Sequence, residues 1–264
     1  MEYPNGNKCI MLVDTSRHQG KIDGLKLSTR TPPIRGIISR ATISYGYRDP
    51  MYNDHQNEAR RYNMARGAYH VVYPNSSTSP VKDQMKNFID MCGVDFGNIP
   101  PILDVELSHD ALPSLVTSTV LECAEILDDY LKDKPNSYLV DKGITGRCMI
   151  YSRASFIDKY MKYDLRLRNY SYMIAHYGKD NGQYWGPPAI PVGVPSDNIL
   201  IHQFTSRGNP TGVESKSLDL NVWTGPVDDY YKFISGKQPE PVLSTEEQIL
   251  SLVKDIHGVL IKED

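Results

Sequence analysis

Short apolar runs recur along the chain and are separated by stretches of amphipathic or polar character. Seven such runs are rich in β-branched or aromatic side chains and bounded by Gly or Pro; they cover residues 8–14, 36–42, 67–74, 100–106, 146–152, 170–177 and 198–205. Runs of this kind predict buried strands. Several are almost continuously hydrophobic, which is typical of parallel strands covered on both faces.

Three amphipathic stretches between these runs predict helices, at residues 49–67, 79–93 and 115–133. The third stretch has one apolar face at helical spacing, formed by Val116, Val120, Cys123, Leu127 and Leu131. Alternating strands and helices indicate a parallel α/β architecture. After residue 150 the strands follow one another with little helix between them. We therefore predict an irregular TIM-like barrel.

The end of the chain has a different composition. Residues 236–264 contain a segment with Gly and two prolines, then Ser244 and Glu247 at capping-box spacing, then an amphipathic stripe. We predict a barrel over residues 1–235 and a linker with a short C-terminal helix over 236–264. Three roles stay open for residues 244–262: docking on the barrel, self-association, and contact with a partner.

Composition and charge exclude several classes of function. The net charge is −3, and no cluster of Lys and Arg interleaved with aromatics predicts nucleic-acid binding. No apolar run approaches the ~18 residues of a membrane span, so membrane insertion is not expected. The N-terminal residues show no basic segment followed by a long apolar one, so we expect synthesis in the cytoplasm without a signal peptide. The four cysteines lack metal-ligand spacing, and we expect reduced thiols and no metal.

Acidic residues stand at the ends of the predicted strands. Asp14 ends the first run, Asp104 and Glu106 end the fourth, and Asp219 follows the last. In a parallel barrel the carboxyl ends of the strands form the active face. Asp104 and Glu106 lie two residues apart and therefore share one face of a strand. Two close carboxyls raise each other's pKa, and a protonated acid beside an anion suits glycoside hydrolysis. A solvated D-x-E tripeptide is the alternative.

Five segments together extend this interpretation: "VDTSRHQGKID" (13–23), "ISRATISYGYRDPMYNDHQNEARRYNMARGAYHVVYP" (38–74), "PILDVE" (101–106), "CMIYS" (148–152) and "ILIHQFTSRGNPTGVESKSLDLNVWTG" (199–225). In this order they resemble the motifs of the N-acetylmuramidases, or lysozymes, of glycoside hydrolase family 25. The similarity runs from about residue 8 to 225.

The resemblance implies a barrel of about five βα units followed by three strands, with no cofactor. It implies cleavage of the β-1,4 bond between N-acetylmuramic acid and N-acetylglucosamine in bacterial peptidoglycan. Glu106 would be the general acid/base and Asp104 would orient the substrate's acetamido group, while Asp14 and Asp219 complete an acidic floor. The nucleophile, either that acetamido group or an enzyme carboxylate, is left open. A phage or prophage endolysin released through a holin-type pore, or a virion-associated enzyme, would fit such an activity.

Six further residues are candidates for substrate binding: His18, Arg40, Tyr69, Tyr151, Tyr177 and Gln203. Each has a structural alternative. His18 could be a hydrogen-bonded loop residue, and Tyr151 and Gln203 could only pack the barrel. Arg40 needs a carboxylate partner, which could be a site acid or a purely structural one. Tyr69 and its neighbour His70 face opposite sides of a strand, and we expect Tyr69 at the substrate.

The sequence departs from the family pattern at Met173 and His202, where tryptophan is common. Tyr45, Tyr47 and Tyr177 are candidates to replace the lost stacking surface, since the chain has 18 Tyr against 2 Trp. Two alternatives to a muramidase follow. A non-catalytic glycan-binding or structural module would have lost at least one of the four acids, and none is lost. A hydrolase of another N-acetylated polysaccharide would keep the acids and change the pocket.

Overall fold

The computed structural model describes residues 9–74, 79–161 and 164–235. Its strands are β1 (Met11–Thr15), β2 (Ile34–Ile43), β3 (Tyr47–Arg48), β4 (Ala65–Val71), β5 (Ile102–Asp104), β6 (Met149–Arg153), β7 (Ser171–Ala175), β8 (Ile199–Gly208) and β9 (Leu218–Trp223). Its α-helices are α1 (Gly24–Thr29), α2 (Tyr52–Arg61), α3 (Val81–Cys92), α4 (Pro113–Tyr130), α5 (Ser137–Asp141), α6 (Ala154–Tyr160) and α7 (Val227–Ser235).

Eight of the described strands close into a barrel in the order β1-β2-β4-β5-β6-β7-β8-β9, and β9 pairs back onto β1. Seven of them run parallel, whereas β9 is antiparallel to both β8 and β1. The short strand β3 forms a hairpin with β2 outside the ring. Five strand–helix units come first and β7, β8 and β9 follow. The prediction of an irregular TIM-like barrel is therefore confirmed.

All seven strands and all three helices predicted from periodicity are present. The predicted apolar face of α4 and its C-terminal end is buried against the sheet, where it joins a core shared with α3 and α6. Cys123 and Cys148 are buried in that core. These elements were predictable because their apolar residues repeat at the period of the element that they form.

The second half of the barrel contains elements that periodicity did not predict. They are β9, the seven-residue helix α6, short 3-10 helices at Leu165–Asn169 and Ser196–Asn198, and α7. In α7, Tyr230 and Phe233 are fully buried and their rings pack on the Trp223 indole, with centroids 5.7 and 4.9 Å away. Trp223 ends β9, and the Tyr230 hydroxyl donates to the carbonyl of Arg35 near the start of β2. Helix α7 therefore closes the amino end of the barrel.

The predicted linker and C-terminal helix at 236–264 lie outside the described residues. That domain division, and self-association or partner docking through 244–262, stay predictions. Within the described ranges, no helix is long and apolar enough to cross a membrane.

Candidate active site

A cavity of about 590 Å³ lies at the carboxyl ends of the parallel strands. The structure brings together in its lining the four candidate catalytic acids and the six candidate substrate-binding residues: Asp14, His18, Arg40, Tyr69, Asp104, Glu106, Tyr151, Tyr177, Gln203 and Asp219. This is the face on which barrel enzymes carry their active sites.

Asp219 reaches this face for a different reason from the other acids. It stands at the beginning of β9, not at the end of a strand. Because β9 is antiparallel to its neighbours, its first residues lie beside the carboxyl end of β1, and Asp219 is directly paired with Asp14. The antiparallel strand therefore brings a carboxylate from near the end of the chain to one from its beginning.

The two acids of the D-V-E tripeptide do share one face, as predicted. Strand β5 ends at Asp104, but the extended pairing continues one residue further, since the Val105 N–H donates to the Tyr151 carbonyl at 3.0 Å. Val105 is fully buried in the helix–sheet core, while Asp104 and Glu106 on either side of it line the cavity. Alternation along the extended chain thus places both carboxyls at the site.

Hydrogen bonds from two amides hold Asp14 in place. Its Oδ2 accepts from Gln203 Nε2 and Asn221 Nδ2, each at 2.8 Å. The hydroxyls of Tyr151 and Tyr177 donate to Gln203 Oε1 at 2.7 and 2.6 Å, which directs the amide nitrogen toward Asp14. Two charge-assisted bonds favour the carboxylate form of Asp14.

Asn221 was not selected from the sequence, although a signal was present. It lies two residues after Asp219 and therefore on the same face of β9. It also pairs with Gln203 across the sheet. Because Asn221 lies two residues from Asp219, the partner of Asp14, and opposite Gln203, its side-chain amide is close enough to bond to Asp14.

Burial raises the pKa of all four carboxyls, and repulsion from neighbouring carboxyls raises those of Asp104, Glu106 and Asp219 further. Burial is the largest cause in each case. The pKa of Asp104 lies well above its ordinary value, with Glu106 and Asp14 adding repulsion. The pKa of Asp219 rises to about 8, with Asp14 and Glu106 as the next causes. For Asp14 burial outweighs the two amide bonds, so its pKa also rises. The cluster therefore holds protons at neutral pH.

Glu106 has a cationic neighbour that the sequence did not reveal. Burial raises the pKa of this carboxyl, the positive charge of Arg153 lowers it in part, and Asp14 raises it further. Arg153 ends β6, the strand next to β5, and lines the same cavity. The net result is an acid that keeps its proton to a higher pH than an ordinary glutamate.

Arg40 pairs with a structural carboxylate and not with a site acid. Its Nε donates to Asp49 Oδ2 at 2.8 Å, and both side chains are largely buried. The same oxygen accepts from the backbone N–H of Arg17, at 3.1 Å. Arg40 still lines the cavity, and its charge partly offsets the raised pKa of Asp104.

The adjacent residues Tyr69 and His70 face opposite sides of β4, as expected. Tyr69 lines the cavity, whereas His70 is fully buried on the other side of β4. The His70 ring nitrogens bond to Thr42 Oγ1 at 2.7 Å and Gln84 Oε1 at 3.3 Å. Burial lowers the pKa of His70 to about 4, so it is a neutral core residue. His18 is exposed at the rim.

The two positions where the family often has tryptophan lie in different environments. Met173 lines the cavity. His202 is buried away from it, where its Nε2 donates to the His176 carbonyl at 2.8 Å and its ring packs on Tyr184. Of the tyrosines proposed as replacements, Tyr177 lines the cavity. Tyr45 and Tyr47 do not, and the ring of Tyr47 lies under the guanidinium groups of Arg17 and Arg40.

The sequence profile of glycosyl hydrolases family 25 matches residues 13–213, which is most of the chain. The chain belongs to this family. The matched segment includes Asp14, Asp104 and Glu106 and ends before Asp219. Lysozyme M1 of Streptomyces globisporus is 23% identical over 224 residues, which is 84% of this chain and 70% of that protein.

Solved structures that share the fold include two named as members of family 25. The family GH25 lysozyme from Aspergillus fumigatus superposes with a TM-score of 0.68 at 19% identity, covering 87% of this chain and 100% of the other. The family 25 glycosyl hydrolase from Bacillus anthracis superposes with a TM-score of 0.66 at 21% identity, covering 84% and 91%. The CTP1L endolysin gives 0.64 at 20% identity, covering 88% and 71%.

Proposed function

We propose that this chain is a muramidase that hydrolyses the β-1,4 bond between N-acetylmuramic acid and N-acetylglucosamine in peptidoglycan. The observation that carries the proposal is the cavity in which Asp14, Asp104, Glu106 and Asp219 meet at the active face of a family 25 barrel. Four converging carboxyls supply both a protonated acid and an anion, which are the two groups that glycoside hydrolysis requires.

Glu106 is the proton donor to the glycosidic oxygen and the base in the following hydrolytic step. Its raised pKa lets it keep its proton to a higher pH than an ordinary glutamate, and its partial exposure leaves it accessible to the substrate. Proton transfer by a positioned acid contributes about 10²- to 10⁴-fold to the rate.

Asp104 orients the substrate, and Asp14 stabilises positive charge. Asp104 lines the cavity and its Oδ1 has no hydrogen-bond partner among the described residues, so its carboxyl is free to accept a hydrogen bond from an acetamido N–H. Asp14, held by Gln203 and Asn221, is the carboxylate best placed to stay ionised and to stabilise positive charge at the sugar carbon. The attacking group is the acetamido oxygen or a site carboxylate.

The test compares the wild-type protein with Glu106→Gln on purified peptidoglycan, by loss of turbidity and by mass spectrometry of the new reducing ends. We expect the variant to lose about 10²-fold or more of the rate, because glutamine cannot donate the proton. Glu122→Gln, at an exposed position of α4, is the matched control and should clear at the wild-type rate. Circular dichroism checks that each variant is folded.

The products decide among the remaining functions. Muramic acid at the new reducing ends supports the proposal, whereas glucosamine there would overturn the bond assignment. Binding without cleavage by the wild type would indicate a glycan-binding module. Cleavage of another N-acetylated polysaccharide in preference to peptidoglycan would indicate a different substrate.

An endolysin-type role is part of the proposal. Its support is that two structural relatives are named as endolysins, CTP1L and ply40 of a Listeria monocytogenes bacteriophage, the latter with a TM-score of 0.63. The enzyme would then reach the wall after holin-type release or as part of a virion. Expression in a bacterium should cause lysis only when a pore-forming protein is co-expressed. Lysis without the pore would contradict this role.

A further inference from the structure

A second, smaller cavity of about 270 Å³ adjoins the catalytic one. The two cavities share Arg153 and Tyr177 as lining residues. Arg153 ends β6 and pairs in register with Ala175 at the end of β7, so both cavities lie at the same end of the barrel. We call the smaller one the side chamber. Its position makes it a branch of the catalytic cavity beside the ends of β6 and β7.

Small side chains dominate the wall of the side chamber, with Ala154, Ser155, Ala175 and Ala189 lining most of it. The exposed His176 and the Ser155 hydroxyl add hydrogen-bonding groups. Such a wall leaves room for a branch of the substrate and offers it polar contacts. A linear glycan whose units carry no substituent would have nothing to place there.

Arg153 is the cation at the boundary of the two cavities. Residues able to carry positive charge in the catalytic cavity are His18, Arg40 and Arg153, and Arg40 is bonded to Asp49. Within the part of the chain that the structure describes, the Arg153 side chain has no hydrogen bond and no carboxylate within 4.0 Å. It is exposed to solvent. Its guanidinium fork is thus available to a ligand.

The catalytic cavity otherwise disfavours anions, because Asp14, the carboxylate best placed to stay ionised, lines it. The muramic acid unit nevertheless carries an acidic substituent, the lactyl ether, whose carboxyl is free or amide-linked to a peptide with carboxylates of its own. Such a group can be held beside the acids only if a cation stands between them. Arginine pairs with carboxylates through two parallel hydrogen bonds and suits this position.

We propose that Arg153 and the side chamber form a subsite for the carboxylate-bearing substituent of the muramic acid unit. This proposal rests on the proposed muramidase function. The sugar chain occupies the catalytic cavity while its acidic branch enters the side chamber. Arg153 pairs with the carboxylate, and His176 and Ser155 bind the remaining polar atoms. The subsite fixes which sugar of the alternating chain stands next to Glu106.

The test measures kcat/KM on three substrates: intact peptidoglycan, glycan strands freed of peptides by an amidase, and the same strands with the lactyl carboxyls converted to methylamides. The readout for each protein is the ratio between substrates. Arg153 also acts on the pKa of Glu106, but that effect applies to every substrate and cancels in the ratio. Arg61→Gln, an exposed arginine on α2, is the matched control.

We expect the wild type and the control to prefer a carboxylate-bearing substrate over the methylamide strands by about tenfold, which corresponds to ~1.4 kcal/mol. Arg153→Gln should lose this preference, and Arg153→Lys should restore part of it. A preference seen with the amidase-treated strands identifies the lactyl carboxylate; one seen only with intact peptidoglycan identifies the peptide.

An unchanged ratio in Arg153→Gln would overturn the subsite, as would a wild type that ignores the carboxylate. If the wild type cleaves none of the three substrates, the proposed function itself fails, which is a distinguishable result.

Discussion

The crowding of carboxyls at the active face should make the protein less stable as the pH rises, and Asp219→Asn should remove part of that loss. The pKa of Asp219 rises from 3.8 to about 8 in the folded protein. The folded state therefore binds this proton more tightly than the unfolded chain. Its contribution to stability is fully present at acid pH and is lost as the pH rises from about 4 to 8.

The size of the effect follows from the shift. Each pH unit between the two pKa values costs about 1.4 kcal/mol, so raising the pH from about 5 to about 9 would cost ~4 kcal/mol for an isolated group. Asp14 and Glu106 share the repulsion with Asp219, so their own loss of protons should also cost less stability in the variant. We therefore expect the variant to gain roughly 4 kcal/mol relative to the wild type between these pH values.

The assay is denaturant unfolding of both proteins at about pH 5 and about pH 9, followed by tryptophan fluorescence. The gain of Asp219→Asn in free energy of unfolding should be small at the lower pH and larger at the higher one. Asp133→Asn, at an exposed position beyond α4, is the control and should show no such change. A gain that is the same at both pH values, or larger at the lower, would refute the reasoning.

Three further predictions concern the site and its scaffold. Arg153→Gln should raise the pKa of Glu106, because the positive charge favours the carboxylate form, and the loss of kcat/KM at alkaline pH should then begin at a higher pH. Asn221→Ala removes one of the bonds that lower the pKa of Asp14, so the loss of kcat/KM at acid pH should also begin at a higher pH; an unchanged profile would show that Asp14 does not act as an anion. Phe233→Ala should lower the free energy of unfolding by about 3–5 kcal/mol, measured by the denaturant midpoint, because it removes the buried ring that packs on Trp223 and leaves a cavity between α7 and β9.

Five strands and three helices of the first half were predictable because their apolar residues show the period of the element, whereas the short elements α1, β3 and α5 were not predicted. The runs from residue 8 to 152 alternate between the strand and helix patterns, and the structure follows them. Helices α6 and α7 were not predicted, since a helix of seven residues completes about two turns and a helix rich in tyrosine resembles a strand in composition.

The candidate site was predictable where a residue's chemistry is unusual for its place in the chain. Acids at the ends of apolar strands draw attention, and all four line the cavity. Arg153 follows a strand as an ordinary polar residue would, and nothing in the sequence indicates that Glu106 is its neighbour. The Asp49 partner of Arg40 also depends on how the chain folds back after β2. Such pairings arise from the closed barrel and have no local signal.

The antiparallel strand β9 has a consequence for the timing of activity during synthesis. Strand β1 needs both β2 and β9 as neighbours, so the ring cannot close until the ribosome has delivered residues more than 200 positions after the first strand. Contacts between such distant segments form late in folding. Asp219 and Asn221 arrive on that same strand. A nascent or prematurely ended chain therefore carries Glu106 but lacks the finished site, and a wall-degrading activity appears only once the barrel is complete.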